Sequence, residues 1–464
     1  MKSYILIAAL SMTLLSCGKD LDILPEQNVE EGIVLNSDEK VKKVLNGAYD
    51  VMASTDLYGG DLQLFSELLA ADDEIRWRGT YNQPKEVADK AMTATNSFIT
   101  ATWLRAYNLI NITNNILSAL DVVVEADRDR VKGEALFLRG AMYFELVKLF
   151  SKPYSAGNVA SNPGVPIVLT PTRGIDQSSY VARSSVEATY AQALSDLKEA
   201  ENLLPVENGV YAQKVAAAAM LSRVYLQMAD YPGARDAANR AINYDGGFAF
   251  AVPYAKAFNA GKIAKDDPES SLPESIFRTV VSAQDGGNDM FIYWSITYYG
   301  ARSGDVSIEQ KHLDLYPAGD ARKDFFYKGT GNNLGGANTM TRSGKWKYVN
   351  CAVTMIRLAE MYLTRAESNF RLGTTVGATP LADVNEIRTK HAALTPYAAV
   401  DLNTILLERK LELAHEGQGA ADLKRLKKSA NGFAYDADRM VFPIPQREVD
   451  ASRKVIVQNP GYNP

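Results

Sequence analysis

Two separated stretches of this chain carry the same helical stripe, and that repetition constrains the fold more than any other feature. Leu221, Ser222 and Tyr225 fall three or four residues apart and are followed by Ala234, Ala238 and Ala241. Met355, Leu358, Ala359 and Tyr362 repeat the first half of the pattern. Residues at such steps share one face of an α-helix, and small side chains let two helices lie close together. A chain that reuses this unit stacks helix pairs, each burying its apolar face on the next.

The spacing is that of tetratricopeptide repeats and predicts a mainly α fold. Val41, Val44, Leu45, Ala48 and Met52 place one apolar face on a helix over 38–52. Helices over 96–123 and 128–150 follow, the second with Leu136, Gly140, Tyr143, Phe144 and Val147 on one side. Their short connection predicts an antiparallel hairpin. Further helices are expected over 185–204, stopped by Pro205, then over 212–228, 234–243, 355–372 and 381–393. The scaffold thus spans 38–243 and 352–427. Between its halves, over 248–346, the helical period gives way to Gly, Asn, Asp and aromatic residues, as in Gly286-Gly287-Asn288-Asp289. Loops, turns and a few short strands are expected there. Irregular segments mounted on a rigid scaffold are where binding residues concentrate.

The N-terminus speaks to location. Lys2 precedes an apolar run over 4–15 that ends in Leu14-Leu15-Ser16-Cys17. That run is too short to span a bilayer and reads as a signal peptide over 1–16. The small Ser16 before Cys17 forms a lipobox, so Cys17 is expected to be acylated and to begin the mature chain, with a polar tether over 17–27. Several acyl chains on one cysteine anchor a protein stably. Cys351 is then the one thiol left, so no intrachain disulfide can form, and it reads as a small buried hydrophobe. A net charge of -5, from 50 basic and 55 acidic residues, supplies no basic footprint for nucleic acid.

Catalytic patterns are missing from the sequence: there is no nucleophile elbow, phosphate loop or paired cysteine motif. His312, His391 and His415 are far apart and read as surface or capping residues. His415-Glu416 continues Gly417-Gln418-Gly419, without a second histidine one turn on to complete a zinc site. Glu408, Glu412 and Glu416 share a helical face beside Arg409 and Lys410. They read as ion pairs, either solvated or buried against Arg425. No enzyme activity, metal or cofactor is expected.

Three separated motifs resemble the RagB/SusD family. The segment 133–150, GEALFLRGAMYFELVKLF, is similar to the family's long helix bearing an arginine and a Tyr/Phe pair. Ile405-Leu-Leu-Glu408-Arg409-Lys-Leu-Glu412-Leu-Ala-His-Glu416-Gly417 with Asp422-Leu-Lys-Arg425 resembles its C-terminal helix signature. Phe442-Pro443-Ile444-Pro445-Gln446-Arg-Glu448 with Gln458-Asn459-Pro460-Gly461-Tyr462, inside a terminal stretch over 440–464, is the clearest match. The resemblance implies a single domain over 28–464 built from four tetratricopeptide-like helix pairs under an irregular ligand-facing part. It further implies a surface-exposed outer-membrane lipoprotein, a hinged lid on a SusC-like TonB-dependent transporter, that captures oligosaccharide for import. Capture of oligopeptide, or a scaffold that only docks the transporter, is the alternative within this architecture.

Sugars stack apolar C–H faces on aromatic rings while their hydroxyls seek Asn, Asp, Gln and Arg. Two segments combine both kinds of residue. Trp77 and Tyr81 lie with Arg76 and Asn82 in a polar stretch expected to be a loop. Tyr293, Trp294 and Tyr298 follow Asp289 in a stretch whose alternate rings read equally as a strand packed on the scaffold. In glycan-binding members of the family the contacts come from loops in these two regions, so the expectation is one shallow pocket lined by both sets.

Overall fold

The computed structural model describes residues 35–174, 176–258, 272–280, 288–349 and 352–462. The signal peptide, Cys17 and its tether, Cys351 and Gly286-Gly287 lie outside the described residues. Helix accounts for 51% of the structure, well above the roughly one-third of an average globular protein.

The helices begin where side chains can satisfy their free N–H groups. Asn96 accepts from the N–H groups of Phe98 and Ile99, both at 3.1 Å, to open the helix Ser97–Ser118. Ser185, Asp230, Thr379 and Asp401 cap the helices Val186–Leu203, Tyr231–Asn243, Pro380–Lys390 and Leu402–Glu412 in the same way. The helices Asp38–Met52 and Lys214–Gln227 bury most of the stripes that periodicity assigned to them, Val41, Leu45, Ala48 and Met52 in the first and Leu221 and Ser222 in the second, while Val44 and Tyr225 are half-buried. Glu125–Phe150 lies against Ser97–Ser118 on one side and Val186–Leu203 on the other. Close approach depends on Gly140: a Cβ there would sit 2.9 Å from Leu197 Cγ and 3.1 Å from the Ala193 carbonyl oxygen.

Consecutive helices pack in order along the chain, and the stack continues across the insert, because Tyr231–Asn243 packs on Leu358–Leu372. The repeated stripes are therefore neighbours in space although more than a hundred residues separate them. The second copy starts later than periodicity suggested. Residues Val353–Arg357 form a strand paired antiparallel with Ser275–Thr279, and the helix begins at Leu358. All five strand residues are buried, so no polar alternation distinguishes the strand from a buried helical turn.

The insert holds an antiparallel sheet in the order Ile75–Trp77, Val306–Ile308, Met340–Ser343, Phe326–Thr330, Asn333–Leu334. Its edge comes from outside the insert. Ile75 pairs with Ile308 and Trp77 with Val306, so part of the expected loop is a strand, followed by the helix Asn82–Ala88. The stretch 289–299 is not a strand. Asn288 caps a short helix, Asp289–Trp294, by accepting from Phe291 N–H at 2.8 Å, and a 3-10 turn, Thr297–Tyr299, follows.

Candidate ligand-binding surface

Strand pairing presents Trp77 at the end of the sheet edge, and the turn after it folds back to hold the ring. Its indole Nε1 donates to the Tyr81 carbonyl oxygen at 3.0 Å, and its ring meets Tyr293 edge-on with centroids 6.1 Å apart. Gly79 is required by this packing, since a Cβ there would lie 2.4 Å from Trp77 Cζ2. Tyr81 is 44% exposed. It rests on Phe98 at 5.6 Å, with the Arg302 guanidinium 4.3 Å above its ring, and Arg302 also donates to Thr80 Oγ1 at 3.1 Å.

Thr297 Oγ1 donates to the Arg302 carbonyl oxygen at 2.9 Å, closing the loop that carries Tyr298 and Tyr299. Tyr298 is 56% exposed and stands edge-on to Tyr299 at 5.0 Å. Tyr299 in turn meets Tyr327 at 5.7 Å and Tyr348 at 5.9 Å. Burial pushes the Tyr327 phenol up to about 12, so it stays neutral. The result is a run of rings from Trp77 and Tyr81 through Arg302 to Tyr298, Tyr299, Tyr327 and Tyr348. On the other side of Trp77 a cleft of about 410 Å³ is lined by Arg76, Lys85, Asp89, Asn431 and Phe433. Arg76 is exposed and only loosely paired, 3.6 Å from Asp73 and 4.0 Å from Glu309. Asn82 is exposed at the start of its helix.

Three of the residues singled out in sequence do not face this surface. Trp294 is fully buried with its ring 4.9 Å from His415. Tyr293 is buried and donates to Asp61 Oδ1 at 2.8 Å. Asp289 is hydrogen-bonded to Thr55, and burial, followed by that bond's opposing pull, leaves its carboxyl above the ordinary range. The short helix turns all three toward the scaffold, so they support the surface from beneath. Arg302, Tyr327 and Tyr348 join the face without having been marked. A signal was present: no acidic residue occurs anywhere in 325–359 or 290–304.

The acidic ladder is buried, and its partners differ from those anticipated. Arg425 pairs with Glu367 and Asp422 instead. Glu408 and Glu412 pair with Arg322, Glu412 and Glu416 with Arg357, and Glu416 with Lys345. The three histidines are buried too, so the surface reading of them is overturned. Glu274, His391 and Glu412 converge closely enough to hold a metal ion. Yet Arg357 Nη1 donates to both carboxylates at 2.8 Å, and His391 lies 2.9 Å from one and 3.2 Å from the other. Burial disfavours the imidazolium, but Glu412 and Glu274 outweigh it and raise its pKa to about 9. Organic cations already balance these carboxylates, and the cluster reads as a structural ion network.

Comparison with known proteins gives a consistent picture. Residues 19–226 match a SusD-like family described as starch-binding and associating with the outer membrane, and residues 222–441 match the SusD family. SusD-like protein P2 of Formosa agariphila is 24% identical, with all of each chain covered. Among solved structures, a SusD superfamily protein from Bacteroides thetaiotaomicron superposes with a TM-score of 0.80 at 25% identity, covering 91% of this chain and 100% of that one. A laminarin-binding SusD-like protein superposes with a TM-score of 0.75 at 23% identity, covering 92% and 100%.

Proposed function

Because this chain belongs to the SusD family, whose members are carbohydrate-binding proteins associated with the outer membrane, we propose that it captures oligosaccharide at the cell surface and catalyses nothing. The observation that carries this reading is the run of half-buried and exposed rings. Tyr81 and Tyr298 offer flat apolar faces to solvent, Arg302 and Arg76 supply donors beside them, and a sheet and helical stack hold them rigidly. Rings plus a few oriented polar groups suit the two chemistries of a sugar. Pre-organised rings also lose little freedom on binding.

Lipidation at Cys17 and delivery to a SusC-like TonB-dependent transporter complete the proposal. Among the described residues no helix is long and apolar enough to cross a membrane. Calorimetric titration against oligosaccharide and oligopeptide panels tests the reading. Saturable binding of a glycan that Tyr81→Ala and Tyr298→Ala weaken supports it. Binding of peptides alone would replace it with the alternative cargo.

A further inference from the structure

The charge of one ring-bearing segment runs against that of the whole chain. The protein is net acidic at -5, yet residues 325–359 hold five basic residues, Lys328, Arg342, Lys345, Lys347 and Arg357, and no acidic one. Three of the five are committed internally. Arg342 donates to the carbonyl oxygens of Gly329 and Val306, Lys345 pairs with Glu416, and Arg357 pairs with Glu274, Glu412 and Glu416.

Lys347 is placed differently. Its ammonium sits over three rings, 4.5 Å from the centroid of Tyr299, 5.3 Å from Tyr327 and 5.7 Å from Tyr348. No carboxylate pairs with it among the described residues. The rings hold the charge by cation–π attraction without neutralising it. Around it, the hydroxyls of Tyr298, Tyr299 and Tyr348 have no hydrogen-bond partner among the described residues. Arg302 adds a second cation. It is ion-paired with the buried Asp305 at 3.8 Å, so the unpaired charge at this surface is that of Lys347. Lys328 is exposed on the neighbouring strand.

A positioned ammonium beside stacked rings, with phenol donors and, among the described residues, no carboxylate paired to it, is a receptor for a sugar that carries an anion. We propose that the ligand of this surface is an acidic oligosaccharide, bearing carboxylate or sulfate groups, with Lys347 as the residue that selects it. The inference rests on the glycan-binding reading above and narrows it. Charge-assisted hydrogen bonds to an anion exceed those to a neutral hydroxyl, and a neutral glycan would leave Lys347 without a counter-charge.

The test is calorimetric titration of the full chain with three probes of equal length: oligomers of glucose, oligomers of a hexuronic acid and sulfated oligomers of galactose. One or both acidic probes should bind about tenfold or more tightly than the neutral one at low salt, and the gap should narrow as salt is raised. Lys347→Gln, which keeps a stem for the rings to hold, should abolish the preference, and Lys347→Arg should retain it. Equal binding of neutral and acidic probes by the unaltered protein overturns the inference and leaves the glycan reading standing. So does a preference that survives in Lys347→Gln. If none of the three probes binds, the acidic-ligand inference is overturned, and the wider oligosaccharide and peptide panel decides the glycan reading separately.

Discussion

The Trp77 indole nitrogen donates to the backbone carbonyl of Tyr81 at 3.0 Å, so the two rings flanking the start of the candidate surface are positioned by one short turn. The bond makes the pair a unit. Whatever aims Tyr81 also aims Trp77, and Arg302 above Tyr81 ties both to the loop bearing Tyr298.

Two tryptophans should therefore behave in opposite ways. Trp77→Ala is expected to weaken ligand binding by about 2 kcal/mol, roughly thirtyfold in affinity, and to leave the helical spectrum intact. Trp294→Ala removes a ring with no exposure and should destabilise the fold by about 3–5 kcal/mol. Paired titration and chemical denaturation check this. Equal melting of the two variants would contradict the assignment of Trp77 to the surface.

Gly79→Ala tests the turn itself. The added methyl would meet the Trp77 ring and the Asp305 carboxyl, the latter at 2.8 Å, so the ring must move. Overpacking of this kind costs about 1–3 kcal/mol. The expected result is lost affinity with a change in tryptophan emission and a lowered denaturation midpoint, while helical content under native conditions is retained.

His391 predicts a specific pH dependence. Its folded pKa of about 9 exceeds the unfolded value near 6.5, so its stabilisation is fully present below about pH 6.5 and is lost as pH rises through about 9. The difference amounts to about 3 kcal/mol. Urea midpoints measured from pH 6 to pH 10 for the protein and for His391→Gln isolate it, because other titrating groups cancel in the comparison. A constant difference across that range would show that folding leaves the His391 pKa unshifted.

Arg357→Met should be among the most damaging single changes. It strips one cation from Glu274, Glu412 and Glu416 at once, and breaking a buried ion pair from one side costs about 3–5 kcal/mol. Denaturation at neutral pH gives the measure, and partial recovery of stability on acidification, as the orphaned carboxylates protonate, is the accompanying signature.

Replacing Cys17 by Ala removes the proposed acylation site. Fractionation of cells expressing Cys17→Ala without the transporter should find the chain as precursor or in the soluble fraction. Retention in the outer membrane would contradict lipid anchoring.

The helical stack was legible in the sequence because its signal is local. Val41, Leu45, Ala48 and Met52, or Ala234, Ala238 and Ala241, report their shared face through steps of three and four residues alone, and caps such as Asn96 and Asp230 act within one turn. Which ring faces solvent is a different kind of fact. Trp77 and Trp294 both stand among aromatic and polar neighbours in sequence, and they are told apart only by what the fold lays over them: a β-edge that leaves one half-buried, His415 from more than a hundred residues away for the other. The same holds for Glu412, whose periodicity marked a helical face but whose partners Arg357, Arg322 and His391 arrive from three other segments. Periodicity is written within one turn of helix, whereas exposure and charge pairing depend on contacts between distant parts of the chain, and those only the tertiary structure decided.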